Sequence, residues 1–147
     1  MAVDVLSEIV IDRPCEQVAA YAADPSHAPE WYVNIASVEW LSEPPVRVGS
    51  RMAFVARFLG RRLAYTYEIV EYVPGERLVM RTAEGPFPME TTYTWHGDGA
   101  GRTRMTLRNR GEPAGFSRLT GPFVAAAMRR ANRNDLVALK ARVEAAG

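Results

Sequence analysis

At 147 residues, 48% hydrophobic, 24% charged and with a formal net charge of +1, the chain has the size and composition of one globular domain. Its apolar content and small net charge exclude a mainly disordered state, and its one cysteine, Cys15, excludes an internal disulfide framework. The balance of 18 basic against 17 acidic residues offers no electrostatic case for a nucleic-acid partner or for membrane insertion.

Apolar runs such as Phe123 to Met128 are far too short to span a bilayer. Asp4 and Glu8 stand where a signal peptide needs a basic start and an unbroken apolar stretch. The expectation is a cytoplasmic protein formed by residues 1–147 as a single domain.

Val3 to Asp12 alternates: Val3, Val5, Ser7, Ile9 and Ile11 share one face of a half-buried strand. Pro14 suits the start of a helix, with Asp12 as its cap, and the apolar spacing predicts a helix over Pro14 to Ala23. Asp24-Pro25 stops it, and Ser26 can cap a second short helical segment reaching Trp31 and Tyr32. Strands separated by turns follow: Ile35 to Glu43, Ser50 to Leu59, Arg62 to Val73, Arg77 to Glu84, Met89 to His96 and Arg102 to Arg110. Gly60-Arg61 reads as a two-residue hairpin turn, Gly85-Pro86-Phe87 as a break and Gly97 to Gly101 as a hairpin loop. Gly111 to Gly115 is a further break, and Phe116 to Leu119 is predicted as one helical turn. Thr120-Gly121-Pro122 then opens a long helix, Phe123 to Ala145, with Val124, Ala125, Met128, Asn132, Leu136, Leu139 and Val143 along one stripe.

Short connections make the later strands an antiparallel meander. The predicted fold is α+β: a curved seven-stranded antiparallel sheet, two short helices after the first strand, and one long C-terminal helix against the concave face. The inward parity carries Met52, Phe54, Phe58, Tyr65, Tyr67, Met80, Met89, Tyr93, Trp95 and Met105. Trp31, Tyr32 and Trp40 are expected near the rim. A single helix presenting Met128 and Asn132 leaves room for an apolar cavity with a few polar tips, the usual character of a small-molecule site. Burying ~300 Å² of apolar ligand there is worth roughly 7 kcal/mol before the cost of association. The competing expectation is that these aromatics are simply core.

The segments Val10-Ile11-Asp12-Arg13-Pro14-Cys15-Glu16-Gln17-Val18 and Asp24-Pro25-Ser26-His27-Ala28-Pro29-Glu30-Trp31 resemble the opening of the START-like polyketide cyclase/dehydrase and lipid-transport superfamily, SRPBCC. So do the strand Tyr65 to Tyr72, the Gly85-Pro86-Phe87 turn and the ending Asp135-Leu136 through Leu139-Lys140. The likeness covers nearly the whole chain, on structural rather than catalytic positions. It implies a helix-grip fold with a cavity between sheet and helix. It also implies a hydrophobic small-molecule ligand, polyketide-, lipid- or sterol-like. Inward parity, the rim segment and the helix stripe make Trp31, Tyr32, Met52, Phe54, Phe58, Tyr65, Tyr67, Met80, Met89, Tyr93, Trp95, Met105, Met128 and Asn132 its expected contacts.

Cyclases that the chain resembles place polar groups, often an Arg with Tyr or Trp partners, inside the cavity. Here Arg51, Arg57, Arg81, Arg104 and Arg108 all fall on the outward parity. The remaining candidate acids are Tyr65, Tyr67 and Tyr93, which can stabilise an enolate by hydrogen bonding without ionising, or can merely satisfy backbone groups. Asn132 is expected to point inward. Asp135 lies beside the stripe and is expected to be solvated or paired with Arg133 or Arg142. His27 reads as an exposed loop residue, His96 as outward and Cys15 as a small buried residue. No metal motif and no cofactor motif is present. Three readings follow: a carrier of a ring-containing hydrophobic molecule, a cyclase/dehydrase promoting aldol closure and water loss, and a protein-interaction module with a filled cavity.

Overall fold

The computed structural model describes residues 3–85, 88–99, 101–112 and 121–146. Pro86 and Phe87 of the predicted break, Ala100 of the hairpin loop, and the predicted helical turn at 116–119 lie outside them, as does Thr120. In chain order the elements are β1 (Val3–Ile11), α1 (Cys15–Ala22), a 3-10 turn (Pro25–His27), α2 (Ala28–Trp31), β2 (Ile35–Trp40), β3 (Arg51–Phe58), β4 (Arg61–Val73), β5 (Arg77–Glu84), β6 (Met89–Gly97), β7 (Thr103–Gly111) and α3 (Gly121–Ala146).

The strands form one antiparallel sheet in the order β1-β7-β6-β5-β4-β3-β2. Neighbours in sequence are neighbours in space from β2 to β7, and β1 closes the other edge beside β7. The alternation in β1 survives: Val3, Val5 and Ile11 are buried while Asp4, Leu6 and Glu8 are exposed. Register shifts between Thr66 and Tyr67 and between Ile69 and Glu71 interrupt the longest strand, β4. Such bulges add bend and twist, which a sheet needs to wrap a helix.

Several local expectations need correction. Asp12 does not cap α1; its backbone N–H donates to Glu144 Oε2 at 2.8 Å, and Pro14 holds the cap position with its carbonyl accepting from Gln17 and Val18. Asp24, not Ser26, caps the 3-10 turn, accepting from the Ser26 N–H at 2.9 Å; the Ser26 hydroxyl instead accepts from Trp40 Nε1. The β3–β4 turn is Leu59-Gly60 rather than Gly60-Arg61, because Phe58 pairs with Arg61 and both turn residues have positive φ. β2 stops at Trp40, ahead of the Pro44-Pro45 loop.

Helix α3, 26 residues and about 39 Å long, crosses the concave face. Val124, Met128, Asn132, Leu136, Leu139 and Val143 are buried as their spacing predicts, and Asp135 joins them. The far end of α3 is fastened to β1: Lys140 Nζ donates to the Val10 carbonyl at 3.0 Å, and Arg13 donates to the Glu144 carbonyl. Buried side chains group into two clusters, one around Trp31, Trp95, Leu136 and Leu139, the other around Val3, Val5, Leu63 and Val124.

Candidate ligand cavity

Between the two clusters the packing leaves a cavity of about 150 Å³, walled by both. A dry apolar cavity of that size admits a single aromatic ring. Its mouth is marked by the lining residues that keep solvent contact, among them Asn34, Arg57 and Phe58. The Asn34 carbonyl accepts from the Arg57 N–H at 2.8 Å, which ties the segment after α2 to β3 at this point.

Every element of the sheet from β3 to β7 contributes to the wall. Met52, Phe54 and Phe58 come from β3, Tyr65 and Tyr67 from β4, Met80 from β5, and Met89 and Tyr93 from β6. Trp31 and Tyr32 close it from α2 and its cap, and Met128 and Asn132 from α3. Trp95 and Met105, expected in the same wall, are not in it. They stand opposite each other on β6 and β7 and are fully buried in the first cluster, toward the end of the sheet that α1 covers. Trp40 also stays outside, held to Ser26. Leu63, Ile69, Leu78 and Thr91 add to the sheet wall, with Ala56 from β3 and Ile35 from β2, and Asn109 enters from β7.

The polar tips form two groups. In one, the hydroxyls of Tyr32 and Tyr93 hydrogen-bond to each other. Trp31 lies against both rings, with centroids 4.0 Å from Tyr32 and 5.7 Å from Tyr93. In the other, the Thr91 hydroxyl donates to Asn109 Oδ1 at 2.5 Å, and Asn109 Nδ2 donates to Asn132 Oδ1 at 3.1 Å. The chain of contacts therefore runs Thr91, Asn109, Asn132.

Burial pushes the phenols of Tyr32, Tyr65, Tyr67 and Tyr93 above their ordinary range, so all four are neutral at any physiological pH. Asp135 departs most from expectation. It is 3% exposed, lines the cavity, and pairs with neither Arg133 nor Arg142; its Oδ1 accepts from the Val33 N–H at 2.9 Å. Burial raises its carboxyl to about 7 even though the Val33 bond favours the charged form. The signal was its spacing, three residues after Asn132 and four before Leu139 on the same stripe.

The strand arginines stay outside, as their parity predicts. Arg51 pairs with Glu68, Arg81 and Arg110 with Glu90, Arg104 with Asp98 and Arg108 with Asp4. Arg57 reaches only the mouth. His27 stacks on Tyr21 with its Nδ1 3.0 Å from the Tyr21 carbonyl, and His96 is exposed. Cys15 packs against the first cluster. Among the described residues, no three His, Cys, Asp or Glu side chains come together as a metal site, and no helix is long and apolar enough to cross a membrane.

The family model described as polyketide cyclase/dehydrase and lipid transport matches residues 2–144. The chain belongs to this family. No curated protein matches its sequence. Among solved structures, a START superfamily protein from Mycobacterium smegmatis is 16% identical, with 98% of this chain and 99% of that one covered at a TM-score of 0.84. A protein from Thermus thermophilus is 25% identical over 98% of this chain and 99% of its own, at 0.82. The Zhui aromatase/cyclase from a Streptomyces species is 18% identical over 98% and 94%, at 0.80. The fold is therefore the START-like helix-grip fold expected from sequence. In this member of the polyketide cyclase/dehydrase and lipid-transport family, the cavity between sheet and helix carries two neutral tyrosines joined by their hydroxyls, a buried carboxyl and an amide chain.

Proposed function

We propose that the protein binds a hydrophobic, ring-containing small molecule in this cavity. The supporting observation is the wall itself: Met and aromatic side chains on nearly all sides, with the polar groups confined to two small clusters. A ring entering it exchanges water for aromatic and thioether contacts, the contacts such sites use. The volume fits one ring, and the open mouth lets a larger polyketide-, lipid- or sterol-like molecule extend outward. The test is titration with a naphthalene-based polarity-sensitive dye, followed by native mass spectrometry of protein from its own host. Saturable uptake and a co-purified apolar ligand are expected; absence of any saturable uptake ends the reading.

A second reading, an enzyme of the cyclase/dehydrase type, draws on Asp135. A carboxyl titrating near 7 is suited to take and return a proton at neutral pH. Its carboxylate would remove an α-proton from a ketone. The enolate oxygen would accept a hydrogen bond from the Tyr32–Tyr93 pair, while the enolate carbon attacks a second carbonyl carbon. Asp135 would return its proton to the resulting alkoxide. The same carboxylate would then remove a second α-proton and pass it to the departing hydroxyl, which leaves as water. Turnover of a poly-β-ketone that disappears in Asp135→Asn, with uptake retained, supports this enzyme. Uptake without turnover leaves the carrier.

A further inference from the structure

The polar groups of the cavity differ in what they still lack. Asn132 Oδ1 accepts from Asn109, Asn109 Oδ1 accepts from Thr91, and Asp135 Oδ1 accepts from Val33. Two buried side-chain nitrogens of the wall, Asn132 Nδ2 and Trp31 Nε1, have no partner. Both are donors. Leaving a buried donor unpaired costs about 1–3 kcal/mol, so such a group in a cavity wall points to a missing acceptor.

The direction of the amide chain follows from its far end. An amide oxygen only accepts, so the Thr91 hydroxyl is the donor to Asn109 Oδ1. Each amide then presents its oxygen toward Thr91 and its nitrogen away from it. The series ends in an N–H pair on α3. Asn132 is 4% exposed, and its Nδ2 is shielded from bulk water. The torsion that turns an Asn amide is soft, so the group can lean toward a guest.

We infer that the guest is a carbonyl-bearing ring compound rather than a hydrocarbon or a plain alcohol, with its carbonyl oxygen accepting from Asn132 Nδ2. This rests on the reading that the cavity binds a hydrophobic ring. Asn132 then decides which ring molecules are held, while the aromatic and Met wall supplies affinity common to all of them.

The experiment compares acetophenone with α-methylstyrene, which has nearly the same size and outline but a methylene in place of the carbonyl oxygen, and with 1-phenylethanol. Affinities are measured by calorimetry for the wild-type chain and Asn132→Leu. Asn132→Leu is expected to lower the acetophenone-to-α-methylstyrene affinity ratio about five- to tenfold, the range for losing one hydrogen bond to a buried donor. In the wild-type protein, which needs no variant to fold, the acetophenone carbonyl stretch should move below its frequency in an apolar solvent. An unchanged ratio, an unshifted carbonyl stretch, or a preference for 1-phenylethanol over acetophenone overturns the inference while leaving the cavity reading intact. If none of the three compounds binds, the cavity reading itself falls, and this inference with it.

Discussion

Asp135 on the C-terminal helix accepts a hydrogen bond from the backbone N–H of Val33, 102 residues earlier, in the segment that follows α2. This bond ties the rim segment to α3, and it does so through a carboxyl that burial disfavours in its charged form. A rise from 3.8 to about 7 corresponds to roughly 4 kcal/mol between the two protonation states. The native state therefore holds this proton over a range where the unfolded chain has lost it, so this carboxyl's contribution to stability falls as pH rises from about 4 to 7 and levels off above that. Asp135→Asn keeps an oxygen for Val33 and removes the charge. It is expected to match the wild type near pH 4 and to exceed it by a few kcal/mol at pH 8, read from urea denaturation at the two pH values. A wild-type stability that rises across this interval, with no gain from the Asn variant at pH 8, would show that the carboxyl is not held as described.

The Tyr32–Tyr93 hydroxyl pair calls for a cycle rather than a single substitution. Tyr93→Phe strips a buried partner from Tyr32 and should cost about 1–3 kcal/mol, as should Tyr32→Phe. The double variant should cost clearly less than the sum, because removing both hydroxyls leaves neither stranded. Additive losses in chemical denaturation would mean that the two hydroxyls satisfy themselves independently.

Much of this molecule is legible in its sequence because strand parity is a local signal. Met52 and Phe54 face inward and Arg51 and Arg57 outward simply because side chains alternate. Parity does not say how far along a strand the cavity extends. Met89, Thr91, Tyr93 and Trp95 share one face of β6, yet only the first three reach the opening, since α1 packs over the end where Trp95 lies. Asp135 was obscured for a different reason. An Asp on a helix is usually solvated, and its burial here depends on a backbone N–H supplied from far away in sequence.

Ala131 lines the cavity from α3, and its methyl leaves the space beside it unfilled. Ala131→Phe should place a ring there and weaken dye uptake at least about tenfold, the loss expected when a protein side chain replaces the guest's apolar contacts. Thermal unfolding should change by no more than the ~1–3 kcal/mol of moderate overpacking. Undiminished uptake by a folded Ala131→Phe protein would locate the binding site elsewhere.

The β3–β4 turn carries a defect that can be repaired. Leu59 has φ +50° and Gly60 φ +76°, so both central residues of this two-residue turn are left-handed. Glycine adopts that conformation freely, whereas a leucine meets its own Cβ against the backbone, at about 1–2 kcal/mol. Asn is tolerated at the first position of such turns, and Asn-Gly is their favoured pair. Leu59 also belongs to neither buried cluster, so no core packing is lost by replacing it. Leu59→Asn should stabilise the protein by about 0.5–1 kcal/mol and raise its melting temperature by roughly 1–4 °C, with cavity binding unchanged. Gly60→Ala should act the other way, losing about 1 kcal/mol through the same restriction. If Leu59→Asn melts below the wild type while Gly60→Ala melts above it, the turn is not Leu59-Gly60, and the β3–β4 register that positions Phe54 opposite Tyr65 would have to be redrawn.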